Sequence, residues 1–173
     1  MATYPLIQPG MTITAGLLNA IQPNSVWKTV NTDRDTTTTL ADDPDLSVQL
    51  AAGATYRVQF RLFYGATDAA RFKTAWTVPP GASGNKTVVG PDQGVILSGT
   101  SSGGTGRWGV HVFSTSCTYG TRDSTSNLCA GTEEGTIFTT SAGTLALQWA
   151  QATSNANAAR LAAGSMLTVT RLA

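Results

Sequence analysis

The stretch GTLALQWAQATSNANAARLAAGSMLTVTRL, residues 143–172, decides the fold class of this chain. Leu145, Leu147 and Trp149 alternate with small or polar residues, and the segment around Leu167 repeats the pattern. Alternation with a period of two is typical of a β-strand that buries one face. Ala, Ser and Asn fill most of the connection between the two segments, so it is too polar and too small to form a core element. A connection of this length favours strands that cross a sandwich or a barrel end over a tight hairpin.

The same alternation is clearest upstream, at residues 55–64. Arg57 and Arg61 lie on one face of this segment, so a register slip of one residue would bury two charges. The opposite face carries five large apolar side chains: Tyr56, Val58, Phe60, Leu62 and Tyr64. Turn signals such as Pro-Pro-Gly separate further short strands, and no helical pattern of ten or more residues follows Ile21. The sequence therefore predicts an all-β, antiparallel sandwich over residues 26–173.

The first 25 residues differ from the rest because they contain no charged side chain. Thr14 can cap a short helix over residues 15–21, which places Leu17, Leu18 and Ile21 on one side. A segment this apolar needs a surface to lie on. Two alternatives follow: a strap that packs on its own domain, or an arm that docks on another protein. We expect residues 1–25 to form an extended anchoring arm with one short helix, ahead of the β domain.

The composition of the chain argues against several classes of binding partner. The chain has 173 residues, which suits one domain, and its hydrophobic content of 41% is enough for a proper core. Only 12% of the residues are charged, against roughly 25% in an average soluble protein. Eleven basic and ten acidic residues nearly balance, and the basic residues form no run along the chain. We therefore expect no nucleic-acid partner, because such a partner needs clustered Lys and Arg. Since no apolar run reaches the ~18 residues of a membrane span, we also expect no membrane partner.

Two cysteines, Cys117 and Cys129, flank the polar segment TYGTRDSTSNL. A loop with a cysteine at each end can be closed by a disulfide, and we predict that bond here. Two thiols are the alternative. Zinc would need more ligands than these two residues and the single histidine, His111, supply.

Catalytic signals in the sequence are weak. Gly99-Thr100-Ser101-Ser102-Gly103 matches the nucleophile-elbow pattern, but no helix follows it and no acidic residue lies between Ser101 and His111. His111 alternates with Val110 and Val112, as an isolated polar residue in a strand would. We therefore expect no catalytic residue and no enzyme activity.

Acidic residues cluster once in the chain, within thirteen positions. Their spacing does not match the regular Asp-x-Asp-x-Asp-Gly loop of calcium sites, and aspartate is also a common turn residue. We expect neither a metal site nor a cofactor here. The five residues are Asp33, Asp35, Asp42, Asp43 and Asp45.

Three segments carry a resemblance to a known family. They are Met11-Thr-Ile-Thr-Ala-Gly-Leu-Leu-Asn-Ala-Ile-Gln-Pro, Trp76-Thr-Val-Pro-Pro-Gly-Ala, and Leu147-Gln-Trp-Ala-Gln together with Gly164-Ser-Met-Leu-Thr-Val-Thr-Arg-Leu. In this order they resemble small virion proteins encoded by phages and prophages of actinobacteria. The C-terminal strands resemble tumour-necrosis-factor-like jelly rolls. The segment between Cys117 and Cys129 departs from the family.

This resemblance implies a jelly-roll sandwich that forms a homotrimer on the outer surface of the virion. Its leading function is a capsid decoration protein that docks on the major capsid protein and stabilises the head. The alternative is a minor tail or fibre-tip protein that contacts the host through the loops at residues 99–106 and 117–129. Phe63 and Trp149 are the expected trimer-interface residues. The apolar residues of the arm would anchor it to the capsid: Tyr4, Leu6, Ile7, Ile13, Leu17, Leu18 and Ile21.

Overall fold

The structure is a computed structural model that describes residue 7, residues 9–97 and residues 106–173. Within that part of the chain there are one helix and twelve strands. The helix is α1 (Ala15–Ile21). The strands are β1 (Asn24–Trp27), β2 (Thr32–Arg34), β3 (Ala41–Leu50), β4 (Ala54–Ala66), β5 (Phe72–Thr77), β6 (Ser83–Pro91), β7 (Gly106–His111), β8 (Cys117–Tyr119), β9 (Ser124–Thr139), β10 (Gly143–Gln151), β11 (Ala159–Leu161) and β12 (Met166–Arg171).

The strands form two sheets that pack face to face. The larger sheet has the order β1-β12-β4-β9-β6-β7, and β11 joins its strand β4 to β2. The smaller sheet has the order β3-β10-β5-β8. Neighbouring strands run antiparallel. The prediction of an all-β antiparallel sandwich is confirmed, and its first strand begins two residues before the expected start at residue 26.

The longest pairing in the larger sheet joins β4 to β9, with Ala54 opposite Thr139 at one end and Ala66 opposite Ser124 at the other. All five apolar residues predicted on one face of β4 are buried. One of them, Tyr64, stacks on Phe72 of the smaller sheet with 4.7 Å between ring centroids. Because β4 lies between β12 and β9, its inward face meets the smaller sheet along most of its length. The alternation of the sequence therefore identified a central strand correctly.

One predicted loop is largely strand. Residues 117–129 contain all of β8 and the first part of β9. Their polar side chains suit this position because residues 124–128 of β9 are exposed or half-buried, while Ser124 and Cys129 pair with Ala66 and Tyr64 of β4. Ser and Thr favour loops in sequence patterns, but Thr is also a common residue on the exposed face of a strand.

Candidate interaction surface and buried ionic clusters

The helix of the arm forms for local reasons. Thr14 caps it: its Oγ1 accepts a 3.2 Å hydrogen bond from the backbone N–H of Leu17, and its carbonyl accepts one of 3.1 Å from Leu18. The helix ends at Ile21, and Gln22 returns to extended backbone. These bounds confirm the predicted helix and its cap. At seven residues it is far below the ~12–15 residues at which an isolated helix becomes marginally stable in water.

Most apolar side chains of the arm face solvent. Ile7, Ile13 and Leu18 are exposed, whereas Leu17 and Ile21 are half-buried. Met11 is exposed as well. These exposed side chains are open to contact with another protein, and docking through them stays a prediction. The two remaining anchor residues of the prediction, Tyr4 and Leu6, lie outside the described residues.

The outer face of the larger sheet ends in a tryptophan at each edge. Much of its middle is polar or charged, although Phe63 of β4 also lies there, and an exposed tryptophan lies on each of the edge strands β1 and β7. The strand registers place one row of side chains across six strands: Trp27, Met166, Arg61, Thr132, Val89 and Trp108.

The edge at β7 carries the more continuous apolar surface. Trp108 is 74% exposed, and Val89, Val110 and Val112 are exposed beside it. We call these four residues the β7 strip. A shallow groove of about 460 Å³ is lined by three of them, Val89, Trp108 and Val110. Within the described residues no strand pairs with the outer edge of β7, so the strip combines apolar side chains with an open backbone edge, a combination that invites association.

The two predicted trimer-interface residues have different surroundings. Phe63 is half-buried on the outer face of β4, where the guanidinium of Arg61 lies 4.7 Å from its ring centroid. Trp149 is 0% exposed, so its assignment to a subunit interface is wrong. Its ring lies 5.5 Å from that of Phe72, and the guanidinium of Arg34 lies 4.1 Å from its ring centroid. Because β10 is an inner strand of the smaller sheet, its alternating large residues fill the monomer core.

The predicted disulfide is also wrong, because both cysteines are buried thiols. Cys117 belongs to β8 of the smaller sheet and Cys129 to β9 of the larger sheet, opposite Tyr64. Since both are thiols, no bond between them closes the segment 117–129. Burial raises the pKa of the Cys129 thiol, which keeps it protonated and unreactive.

Two buried ionic clusters lie inside the sandwich, and we name each after one residue. In the Glu133 cluster, the carboxylate of Glu133 accepts hydrogen bonds from Lys86 Nζ at 2.9 Å, Trp76 Nε1 at 2.6 Å and Tyr119 Oη at 2.6 Å. The hydroxyl of Thr74 donates to it as well. Burial and the negative charge of Glu133 raise the pKa of Tyr119 well above its usual range.

The Lys28 cluster lies where β1 ends. Lys28 Nζ contacts both carboxylate oxygens of Asp43, at 3.1 and 3.0 Å, and Oδ2 of Asp45 at 2.8 Å. Trp149 Nε1 donates to Asp43 Oδ2 at 3.1 Å. These aspartates thus neutralise a lysine. Among the described residues no group of three or more histidine, cysteine or acidic side chains could hold a metal ion.

Of the two weak catalytic candidates, His111 lies within the described residues. His111 lies opposite Lys86 in the β6–β7 register, and that neighbour is a cationic rather than an acidic residue. Ser101 lies outside the described residues. In the described part of the chain, no helix is long and apolar enough to cross a membrane.

Sequence reasoning missed the β7 strip and both clusters. The alternation of Trp108, Val110 and Val112 was a usable signal for the strip, since it marks an apolar face of a strand. The ionic clusters left no such signal, because Lys28 is 15 positions from Asp43 and Lys86 is 47 from Glu133.

Comparison with known proteins gives weak likenesses only. No family model and no curated protein matches the chain. The crystal structure of the infectious bursal disease virus VP2 subviral particle shares 10% identity with it at a TM-score of 0.19, over 88% of this chain and 37% of that chain. The structure of the infectious bursal disease virus Gx strain shares 10% identity at a TM-score of 0.21, over 87% and 39%. The chain therefore spans about two fifths of the length of these structures.

Proposed function

We propose that the protein is a phage virion structural protein that decorates the outer surface of the capsid and stabilises the head. The observation that carries this proposal is the arm, a charge-free segment in which most of the described large apolar side chains are exposed. A seven-residue helix gains most of its stability from a surface that covers its apolar side. The arm is also one of the segments that resemble virion proteins of actinobacterial phages. Its proposed partner is the major capsid protein.

The proposal includes a homotrimer. Several copies joined in one knob would dock several arms, and each further arm binds at high effective concentration once the first is bound. Trp149 contributes nothing to the subunit contact, since it is buried in the monomer. The β7 strip supports self-association because it is the kind of exposed apolar surface that subunit contacts cover.

A binding experiment tests the role of the arm. Capsids stripped of the protein are mixed with the intact chain or with a chain lacking residues 1–22, which spares β1, and bound protein is measured by co-sedimentation. We expect the intact protein to bind and the truncated protein to stay soluble and unbound. The mass of both proteins in solution, from light scattering, tests the trimer. Equal binding by the two chains would overturn docking through the arm.

Point variants test whether individual side chains of the arm contribute to capsid binding. Ile13→Ser and Leu18→Ser each remove one exposed apolar side chain of the arm, and Val30→Ser removes a comparably exposed one after β1. We expect each arm variant to weaken capsid binding at least tenfold, whereas Val30→Ser binds normally. A loss of binding in Val30→Ser equal to that of the arm variants would contradict a specific role for the arm.

The second candidate is a minor tail or fibre-tip protein. The β7 strip favours it, since an exposed tryptophan on an edge strand suits contact with a host surface. Trp108→Ser should then reduce adsorption of phage particles to host cells while particle assembly continues. Normal adsorption of particles that carry Trp108→Ser would argue against this candidate.

A further inference from the structure

The Lys28 cluster has the composition of a reactive site. A primary amine, Lys28 Nζ, lies 3.0 and 3.1 Å from the two oxygens of the Asp43 carboxylate. The side chains of Lys28 and Asp43 are both completely buried, and that of Asp45 is 40% exposed. We propose that Lys28 and Asp43 form an intramolecular amide bond, with Asp45 carrying protons between them.

The two oxygens of Asp43 have different surroundings, which assigns them different roles. Oδ1 accepts backbone hydrogen bonds from the N–H groups of Asp45 at 3.1 Å and Leu46 at 3.2 Å. Two fixed N–H donors stabilise the negative charge that develops on an oxygen when a carboxyl carbon is attacked. Oδ1 therefore remains as the amide oxygen. Oδ2 has no backbone donor among the contacts of the described residues. It accepts hydrogen bonds from Lys28 Nζ and Trp149 Nε1, and it is the oxygen that departs as water.

The reaction balances without any added reagent. Asp45 Oδ2, 2.8 Å from Nζ, takes one proton from the Lys28 ammonium and passes it to Oδ2 of Asp43. The neutral amine then attacks Cγ of Asp43, and a C–N bond forms. A second proton follows the same route to Oδ2, the Cγ–O bond breaks, and one water molecule departs. The third proton stays on the amide nitrogen, and Asp45 returns to its starting state.

Burial favours this product in two ways. The fold holds the amine and the carboxyl group in contact, which replaces a bimolecular encounter by an intramolecular step. Two charges inside a protein also carry a large desolvation cost, and the amide removes both of them. The remaining charge, on Asp45, is partly exposed to water.

The Glu133 cluster serves as an internal control. Lys86 and Glu133 are equally buried and 2.9 Å apart. The contacts of the described residues place no second carboxylate on Lys86, so a proton carrier is missing there. Glu133 accepts its further bonds from the side chains of Thr74, Trp76 and Tyr119, and the contacts of the described residues give it no pair of backbone N–H donors like the pair on Asp43 Oδ1. We therefore expect this pair to stay ionic.

The proposed bond has a clear mechanical consequence. Lys28 directly follows β1, a four-residue edge strand that connects the arm to the sandwich, and Asp43 lies in β3 of the other sheet. An amide between them joins the base of the arm covalently to the smaller sheet. Formation of the bond does not depend on what the arm binds, so its test is separate from the test of capsid docking.

Mass spectrometry of the folded wild-type protein tests the proposal. The protein is incubated at neutral pH until its intact mass is constant, then denatured and digested. We expect an intact mass lower than that of the sequence by one water molecule, and a branched peptide in which Lys28 is joined to Asp43. A full mass with only linear peptides would overturn the proposal. So would a water loss that maps to any position other than these two residues.

Three variants test which side chains take part in the reaction. Lys28→Arg keeps the positive charge but removes the amine, and should show the full mass. Asp45→Asn should form the bond at least tenfold more slowly, measured as water loss over time after refolding. Lys86→Arg, the matched control, should lose water as the wild type does. Equal rates in Asp45→Asn and wild type would exclude Asp45 as the proton carrier, and circular dichroism confirms that each variant is folded.

Discussion

Trp76 Nε1 donates a 2.6 Å hydrogen bond to Glu133 Oε2, and this bond joins the two sheets of the sandwich. The same carboxylate oxygen accepts a 2.9 Å bond from Lys86, and Lys86 and Glu133 are both completely buried. A polar group in such a place is tolerated only when its hydrogen bonds are satisfied, so this cluster makes the centre of the core dependent on one acidic residue.

Replacing Glu133 by Gln should lower the free energy of unfolding by about 3–5 kcal/mol, because it leaves the buried ammonium of Lys86 without a counter-ion. The matched control is Glu134→Gln on the neighbouring, partly exposed position, where a change within about 1 kcal/mol is expected. Denaturant titration of the three proteins gives both values. Similar decreases in the free energy of unfolding in the two variants would show that the Glu133 cluster contributes no more to stability than an exposed ion pair.

Trp149→Ala should destabilise the protein by about 3–5 kcal/mol, because the removed ring is completely buried in the core. In protein dilute enough to be monomeric, Trp108→Ala should change stability by no more than about 0.5 kcal/mol, since its side chain is 74% exposed in the single chain. Chemical denaturation compares them directly. A large loss of stability in dilute Trp108→Ala would mean that the ring is covered within the monomer or by another subunit.

Removing residues 1–22 should leave the melting temperature of the sandwich almost unchanged, because the exposed arm contributes little to the core. Removing residues 1–28 should lower it strongly, since that deletion also takes away β1 and Lys28 and leaves the buried carboxylate of Asp43 without its cation. Thermal unfolding followed by circular dichroism distinguishes the two. An equal drop in both proteins would place the arm against its own domain.

Stability should fall at alkaline pH. Burial raises the pKa of Tyr64, Tyr119 and Cys129 above their ordinary values, which are 10.0 for the tyrosines and 9.0 for the cysteine. Well below pH 9 all three are protonated in both the folded and the unfolded protein. Above it the unfolded chain releases protons that the folded chain keeps, so unfolding becomes more favourable as pH rises. Melting temperatures across this range should decline less steeply in Tyr64→Phe than in the wild type.

Both thiols should be inaccessible in the folded protein. Cys117 and Cys129 are buried, and the raised pKa of Cys129 further lowers its reactivity. We expect a thiol-specific chromogenic reagent to label neither residue under native conditions and both in denaturant, without prior reduction. Labelling in denaturant that requires a reducing agent would instead demonstrate a disulfide.

The helix and the central strand were predictable because their signals are local. Thr14 and the small apolar run after it specify a capped helix through contacts three and four residues away. In β4, the strict alternation of large apolar residues fixes which side is buried, whatever strands lie beside it. Residues 117–129 were misread because Ser and Thr suit both a loop and the exposed side of a strand, and only the pairing of β8 with β5 and of β9 with β4 decides between the two.

The sequence by itself thus determined an all-β sandwich, its main buried face and an apolar arm with one capped helix, since each follows from short-range periodicity, capping and charge content. The tertiary structure alone decided that Trp149 fills the core, that Lys28 meets Asp43 and Asp45, and that Lys86 meets Glu133. These relationships depend on which strands become neighbours across the two sheets. Contacts between residues far apart in the chain have no period that a sequence pattern could reveal.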